Sequence, residues 1–299
     1  MADARTTAFS SPAFHRLQRR HFLLFDVLPA VVTMGAVAAL PWHAPGWIDL
    51  ASFGVLWLVT GLGLTVGFHR YFSHRAFEAE RPVALALLVM GSMAARGPMI
   101  SWVAMHRRHH ERSDREGDLH SPNLVRPHWR GWLHSHIGWM YRHDYPNVVH
   151  YTPDILRDRQ LMRFNRLYHL WVALGLAAPA LAGGLVAGSL EGAVSGLVWG
   201  GFVRIFVVEH TMSTINSFCH LVGDRTHATR DESRNIAWAG LVTWGESHHN
   251  NHHSAPASAS FGEGPRELDP GYWFIRALEA MSLVSNVRLP KRSARIAEE

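Results

Sequence analysis

The sequence predicts an all-α integral membrane protein, with four transmembrane helices and a cytosolic helical cap that holds a histidine-rich site for two metal ions. Three observations lead to this fold class. The 299 residues are 47% apolar and include 22 histidines and 12 tryptophans, an unusual composition for a soluble protein. Long apolar runs alternate with blocks rich in histidine and arginine, as in polytopic membrane proteins. Two of those blocks share the histidine spacing HxxHH.

The first two apolar runs predict a pair of membrane spans at about 21–42 and 47–68, each long enough to cross a bilayer. Arg16, Arg19 and Arg20 directly precede the first run, and positive charge at this point places the N-terminus in the cytosol. The second run also contains three glycines that let a neighbouring helix approach closely: Gly61, Gly63 and Gly67.

A third apolar stretch, 81–103, is predicted to lie in the membrane interface or to turn back. Arg96, Gly97 and Pro98 interrupt it, and an arginine in the middle of the hydrocarbon layer is costly. If this stretch crossed the bilayer, the histidines after it would emerge on the side opposite those after the second run. The polar block at 107–160, dense in His, Arg, Trp and Tyr, is predicted to form the cap.

Two further runs, 168–190 and 192–215, predict the second pair of spans, joined by a short outer turn. The rest of the chain is expected to stay cytosolic, so both termini and the metal site lie on the cytosolic side. We therefore predict a flexible tail at 1–18, one membrane domain at 19–291 and a C-terminal tail at 292–299.

Glu209 stands out because it is an ionisable residue within the fourth span. It falls on one helical face with Ser213, Asn216 and His220. A carboxylate at this depth is expected to face the bundle interior, here beneath the metal site. The alternative is a structural pair with Arg204.

The two HxxHH segments predict two helix faces that lie opposite each other and bind metal, because positions i, i+3 and i+4 stack on one face of a helix. One copy alone could be a solvated helix face. Two copies beside further histidines favour a metal, since imidazole is a common protein ligand. Nine histidines are predicted to lie near one membrane face: His69, His74, His106, His109, His110, His220, His249, His252 and His253.

Nine nitrogen ligands are too many for one ion and suit two. Structural zinc sites usually include cysteine, whereas the one cysteine here, Cys219, has apolar neighbours. Asp114, Asp118 and Glu246 are interpreted as hydrogen-bond partners that fix the imidazole tautomers. A histidine-dominated dimetal centre with open positions favours iron and dioxygen, acting on a C–H bond of a membrane-resident molecule. The net charge of +5 is attributed to lipid headgroups, and no nucleic-acid partner is expected.

Longer motifs resemble those of the integral-membrane fatty acid desaturases. Residues 69–74 read HxxxxH and precede the two HxxHH segments, in the order of the three histidine boxes of that family. Residues 216–220, NSFCH, resemble the NSxxH motif of the acyl-CoA delta-9 (stearoyl-CoA type) branch, and Gly245 with Glu246 leads the third box as in that branch. The resemblance extends over about 21–290.

The resemblance implies a diiron desaturase that inserts a cis double bond, at the delta-9 position, into a saturated fatty acyl-CoA. The nine histidines take the ligand roles, and Asn216 holds an ion through water. The acyl chain lies in a bent apolar tunnel beneath the metals, and dioxygen is reduced with two external electrons. Because no haem-ligating HPGG stretch is present, a separate ferredoxin- or cytochrome-type donor with an NAD(P)H reductase is implied.

Three residues and several activities remain open. His248 supports the metal ligands, or it is itself a ligand in an alternative assignment of the third histidine segment. Arg163 and Arg166 contact the phosphates of the substrate headgroup or anchor the cap to lipid. The alternative activities are desaturation of phospholipid-bound acyl chains, and hydroxylation or alkane oxidation by a similar diiron site. Metal transport is a remote alternative, because transport needs ligands near the bilayer midplane.

Overall fold

The computed structural model describes residues 7–290, which are mainly helical. The helices are α1 (Pro12–Ala39), α2 (Trp47–Ser73), α3 (Arg81–Ser92), α4 (Met99–Arg112), α5 (His128–Leu133, continued by His134–Gly138 and Trp139–Tyr141), α6 (Val148–Tyr151), α7 (Pro153–Leu156), α8 (Arg159–Arg166), α9 (Tyr168–Ala187), α10 (Leu190–Phe218), α11 (His249–Ser254) and α12 (Pro270–Ala280), with a 3₁₀ turn at Ala237–Ala239. Two antiparallel strand pairs join β1 (Ala8–Phe9) to β3 (Tyr145–Pro146) and β2 (Glu78–Ala79) to β4 (Val284–Ser285).

Four helices are long and apolar enough to cross a membrane: α1, α2, α9 and α10, of 28, 27, 20 and 29 residues. This confirms the predicted helical class and the number of candidate spans. The first helix begins nine residues before the predicted span at 21, because Ser11 accepts a hydrogen bond from the backbone of Phe14 and Pro12 occupies the first turn. Residues 12–18, expected in a flexible tail, are therefore helical. Residues 1–6 and 291–299 lie outside the described part of the chain.

The third apolar stretch forms two helices separated by a bend at 93–98. Helix α3 has 12 residues, fewer than the roughly 20 that a span needs. The guanidinium of Arg96 in the bend is buried and forms an ion pair with Glu209 of α10, which compensates its charge. The bend thus connects the apolar stretch to α10, and α4 runs from the bend into the segment predicted to form the cap, 107–160.

Three glycines of α2 are predicted to let a neighbouring helix approach closely, and two of them lie against α3. A Cβ atom at Gly63 would lie 2.1 Å from the backbone nitrogen of Gly91, and one at Gly67 would lie 2.9 Å from the carbonyl oxygen of Leu87. At Gly61 the neighbour is instead the indole of Trp244, which comes from the segment before α11. The main hydrophobic core forms around these contacts, so the third histidine segment packs directly on the second span.

Candidate metal centre

The first histidine pair lies at the C-terminal end of α2, where the helix widens into π-helical turns over Gly63–Ser73. The backbone nitrogen of His74 donates to the carbonyl oxygen of His69 over 3.2 Å. This i to i+5 hydrogen bond is the mark of a π turn, a feature often found at functional sites. The wide turn lets two histidines five residues apart point to the same place, and their ring centroids are 5.1 Å apart.

Helices α4 and α11 carry the two HxxHH segments, and His220 lies two residues after the end of α10. The short helix α11 is fixed from outside, because the side-chain oxygen of Asn235 accepts hydrogen bonds from the backbone nitrogens of Asn250 and Asn251, at 2.8 and 3.2 Å. The side chain of Asn251 also donates to the backbone of Phe261. This network of buried amides orients the third segment towards α2 and α4.

The nine predicted histidines form two groups. The first contains five: His69, His74, His106, His110 and His252. One ring nitrogen from each lies within 4.8 Å of the others. The Nε2 atoms of His69 and His252 are 2.9 Å apart, and those of His74 and His106 are 2.7 Å apart.

The second group contains four: His109, His220, His249 and His253. Their ring nitrogens also lie within 4.8 Å of one another, and the Nε2 atoms of His220 and His249 are 3.1 Å apart. The two groups are adjacent, because consecutive histidines of α4 (His109 and His110) and of α11 (His252 and His253) belong to different groups. The rings of His110 and His253 stack across the boundary with centroids 4.5 Å apart.

Carboxylates hold the outer ring nitrogen of four of these histidines. The Nδ1 atoms donate to Glu246 from His69 (2.5 Å), to Asp118 from His109 (3.0 Å), to Asp114 from His220 (2.9 Å) and to Asp231 from His253 (2.7 Å). A donating Nδ1 leaves the lone pair on Nε2, which faces the group. This is the usual arrangement around metal-bound histidine.

The donor set fits metal ions. The Nε2 atoms of His109 and His253 are buried and have no hydrogen-bond partner among the described residues, a costly state that a cation would relieve. Burial lowers the pKa of His74 to about 3 and that of His253 to about 4, the latter in spite of Asp231. Burial also lowers the pKa of His110. These imidazoles are therefore neutral at physiological pH, as ligands must be.

The three paired aspartates are ionised, whereas burial raises the pKa of Glu246 to about 8. Burial opposes the ionisation of Asp118, but the charge and hydrogen bond of His109 outweigh it, and the pKa of Asp118 lies well below its usual range. The same balance, with His253 as the partner, holds for Asp231. Each anion favours positive charge at the histidines in front of it.

Two residues of this region were not assigned to it from the sequence. Asp231 lies 22 positions before His253 in a polar loop, and only the folded loop brings them together. His120 is buried with its ring centroid 4.3 Å from that of His109, and its Nδ1 has no hydrogen-bond partner among the described residues. Its position two residues after Asp118, close to the second histidine segment, is a sequence signal for it.

The other predicted site residues lie around the centre. Asn216, half-buried, lines the cavity next to the histidines. Glu209 also lines that cavity and pairs with Arg96. Arg204 instead donates to the backbone oxygens of Met93 and Gly175, at 2.8 and 3.0 Å.

His248 and two arginines lie apart from the clusters. The Nε2 atom of His248 donates to the carbonyl oxygen of Leu268 over 3.0 Å, and this residue belongs to neither group of described histidines. Arg163 and Arg166 are exposed on α8. They do not line the cavity that reaches the histidines.

A cavity of about 540 Å³ reaches both histidine groups. His69 and His106 of the first group line it, together with His109 and His249 of the second. From there it extends past Trp102 to the N-terminal half of α1 and to the cap. Such a cavity can admit a long, narrow molecule to the space in front of both groups.

Comparisons with known proteins find relatives along most of the chain. The model of the fatty acid desaturase family matches residues 45–261. The chain is 42% identical over 292 residues to a hex-5-enoyl-[acyl-carrier protein] acetylenase of Moorena producens, covering 96% of this chain and 91% of the relative. It is 35% identical over 254 residues to an sn-1 stearoyl-lipid 9-desaturase of Synechocystis (83% and 74% covered). It is 34% identical over 254 residues to delta-9 acyl-lipid desaturase 1 of Arabidopsis thaliana (83% and 78% covered).

Proposed function

Since this chain belongs to the fatty acid desaturase family, we propose that it inserts a cis double bond into a saturated acyl chain, at the delta-9 position. In this reaction two hydrogens leave adjacent methylenes and dioxygen becomes two molecules of water. Two electrons and two protons come from outside the protein.

One observation carries the proposal: nine histidines divide into groups of five and four, and one cavity touches both groups. A substrate in the cavity lies in front of both groups at once. Imidazoles with acidic side chains behind them form a strong nitrogen donor set. No cysteine belongs to either group of described residues, in contrast to most structural zinc sites.

We propose that the two groups hold two iron ions, with Asn216 reaching the ion of the four-histidine group through a water molecule. The ions would supply the redox chemistry that couples dioxygen reduction to C–H oxidation. Imidazole also binds zinc, copper and nickel, but zinc has no redox chemistry. The proposed reaction therefore favours iron.

The protein's own residues order and shield this site. The four carboxylates keep the histidine lone pairs directed inwards. The indole of Trp102 stacks on His106 with centroids 5.1 Å apart, and Phe261 packs on His252 at 4.3 Å. These aromatic rings keep bulk water away from the side of the histidines that faces the protein core, where reactive oxygen chemistry would otherwise be quenched.

The acyl carrier is the second part of the proposal. The motifs alone suggested acyl-CoA, whereas the relatives are named for acyl-lipid and acyl-carrier-protein substrates. Arg163 and Arg166, the expected phosphate contacts, lie outside the cavity. We therefore favour a lipid-bound or carrier-protein-bound acyl chain over acyl-CoA, and direct competition between the three substrates decides among them.

We further propose that both termini and the metal centre face the cytosol. Arg16, Arg19 and Arg20 lie in the first turns of α1, where the positive-inside rule applies. Four spans return the chain to the side on which it began. This orientation gives a soluble ferredoxin or a cytochrome, reduced by an NAD(P)H reductase, access to the cap.

Lipid analysis of cells that express the chain tests the proposal. We expect gas chromatography with mass spectrometry, after derivatisation of double bonds, to show a new cis-monounsaturated acyl chain. The product should be missing with His249→Ala. A hydroxylated product would instead identify a hydroxylase or alkane oxygenase, and metal uptake without any lipid product would identify a transporter.

A further inference from the structure

Residues 236–247 form a closed loop directly before the third histidine segment. Asn235 and His248 pair in an antiparallel bridge, and the backbone nitrogen of Ile236 donates to the carbonyl oxygen of Ser247 over 2.8 Å. Both ends of this loop, which we call the tryptophan loop, are therefore fixed beside the histidines.

The tryptophan loop packs on α2 well before the first histidine of that helix. Trp244 is completely buried, and its ring centroid lies 4.5 Å from that of Trp57. An added Cβ atom at Gly61 would lie 2.0 Å from the indole of Trp244. Gly61 precedes His69 by eight residues, about 10 Å along the helix. The loop therefore reaches from the histidines back along the second candidate span.

Three apolar side chains of the tryptophan loop are exposed on one face. Trp238 is 84% exposed, and Leu241 and Val242 are each about half exposed. They stand at positions i, i+3 and i+4 of a turn in which the backbone nitrogen of Thr243 donates to the carbonyl oxygen of Ala239 over 3.0 Å. Residues with this spacing share one face of a helical turn. A contiguous exposed apolar surface of this kind marks an interaction site.

The apolar surface continues onto the segment before α12. An added Cβ atom at Gly240 would lie 2.4 Å from the carbonyl oxygen of Leu268, whose side chain is exposed. The one charged residue of the tryptophan loop, Glu246, is buried, whereas Arg266 is exposed two residues before Leu268. The exposed apolar side chains form what we call the apolar patch, which contains Trp238, Leu241, Val242 and Leu268.

The level of the tryptophan loop along α2 matches one boundary of a bilayer. With α2 as a membrane span that begins at Trp47, a hydrocarbon layer about 30 Å thick ends after about 20 residues, near Gly67. Gly61, which Trp244 covers, lies roughly 8 Å inside that boundary. Leu58, one turn before Gly61, is exposed, so the apolar surface of the span leads up to the loop. Tryptophan is enriched in membrane proteins at this level.

We propose that the tryptophan loop inserts into the membrane interface, with the apolar patch in contact with the acyl chains of the bilayer. Arg266 at the edge of the patch then lies among the lipid phosphates. The loop continues into the third histidine segment through a sharp turn, because Trp244 and Gly245 have positive φ angles of 53° and 94°. Contact with the bilayer therefore helps to hold that segment against α2. The proposal requires α2 to cross the membrane and is independent of the reaction at the histidines.

Site-directed spin labelling of the full-length protein tests the proposal, in vesicles of phosphatidylcholine and phosphatidylglycerol. A nitroxide is attached to the test variants Trp238→Cys and Leu241→Cys. Leu58→Cys gives the reference for hydrocarbon, and Ala228→Cys, at an exposed position of the polar loop before Asp231, gives the reference for water. Cys219 is 1% exposed, and treatment of the wild-type chain with the label measures its background.

The readout is the ratio of collisions with dioxygen, which concentrates in hydrocarbon, to collisions with a water-soluble nickel chelate. We expect this ratio at positions 238 and 241 to lie near that at position 58 and several-fold above that at position 228. Because Trp238 is so exposed, its replacement removes little packing, and position 241 decides if Trp238→Cys fails to fold.

Three results would overturn the proposal. The first is a ratio at positions 238 and 241 equal to that at position 228, which means that the patch faces water. The second is spin–spin broadening at position 238 that disappears on dilution with unlabelled chain, which identifies a second copy as the occupant. The third is low access for both reagents without such broadening, which means that the patch is covered by protein. None of these results bears on the proposed desaturation.

Discussion

The Nδ1 atom of His253 donates a 2.7 Å hydrogen bond to the carboxylate of Asp231. This pair completes a pattern in which both histidine groups are supported by acids from elsewhere in the chain. The support matters because a histidine that donates through Nδ1 can bind a metal only through Nε2.

Replacing Asp231 with alanine should weaken iron binding by roughly 10- to 100-fold, because His253 loses the partner that fixes its tautomer. Iron bound to the purified protein at a series of free iron concentrations measures this. Asp224→Ala is the matched control, since Asp224 is exposed on the same loop. Unchanged iron affinity in Asp231→Ala would show that the carboxylate does not support a metal ligand.

His109→Ala and His249→Ala should each abolish desaturation and lower bound iron, while the protein still inserts into membranes. Both residues belong to the four-histidine group and line the cavity. Product analysis, iron determination and membrane fractionation give the three readouts. His150→Ala, at an exposed position of the cap, should behave like the wild type. Full activity in either group variant would refute its role as a ligand.

His248→Phe should keep most of its iron, because His248 bonds to the Leu268 carbonyl rather than to the clusters. The expected cost is to stability, of about 0.5–1.5 kcal/mol, since one part-buried hydrogen bond is lost. Iron content and the thermal unfolding midpoint separate the two effects. Loss of one ion per chain would mean that His248 is itself a ligand.

Glu209→Gln should destabilise the protein by about 3–5 kcal/mol, because the buried Arg96 then lacks its counter-charge. The double variant Arg96→Met/Glu209→Leu should be more stable than Glu209→Gln. Unfolding of the detergent-solubilised protein followed by tryptophan fluorescence measures both. Equal stability of Glu209→Gln and the wild type would argue against a stabilising pair.

Removing the metal with a chelator should lower the unfolding midpoint, since a ligand that binds only the folded state stabilises it. Added ferrous iron should restore both stability and activity. Added zinc should restore stability alone, because zinc has no redox chemistry. Activity recovered with zinc would contradict the proposed oxidation.

The histidine positions could be predicted because their signal is local. An HxxHH segment places three rings on one face wherever it forms a helix, and residues 106–110 do so within α4. The division into five and four could not be predicted. It depends on the rotation of α11 against α4, which sends His252 to one group and His249 to the other. That rotation is set by distant contacts such as those of Asn235.

Other features could not be predicted from the sequence, for similar physical reasons. The start of α1 was placed too late, because the apolar run identifies hydrocarbon-length segments and not the polar first turns capped by Ser11. Asp231 lies in a loop without periodicity. The cavity depends on how α1 and the cap pack over α10, and the spacing of residues within one segment does not report such packing.

The proposed metal centre would also determine when the protein can become active during its synthesis. Its candidate ligands come from α2, α4, the end of α10 and α11, so the last one, His253, is made after more than four fifths of the chain. The strand β4 that pairs with β2 near the first histidines is made later still. Because structural order and metal affinity arise together in metal sites, loading of the proposed centre with metal would follow synthesis of all four apolar helices. A ribosome-bound chain that ends before α11 would contain all four apolar helices but not the complete four-histidine group. Synthesis of the apolar helices is therefore finished before the candidate metal site is complete.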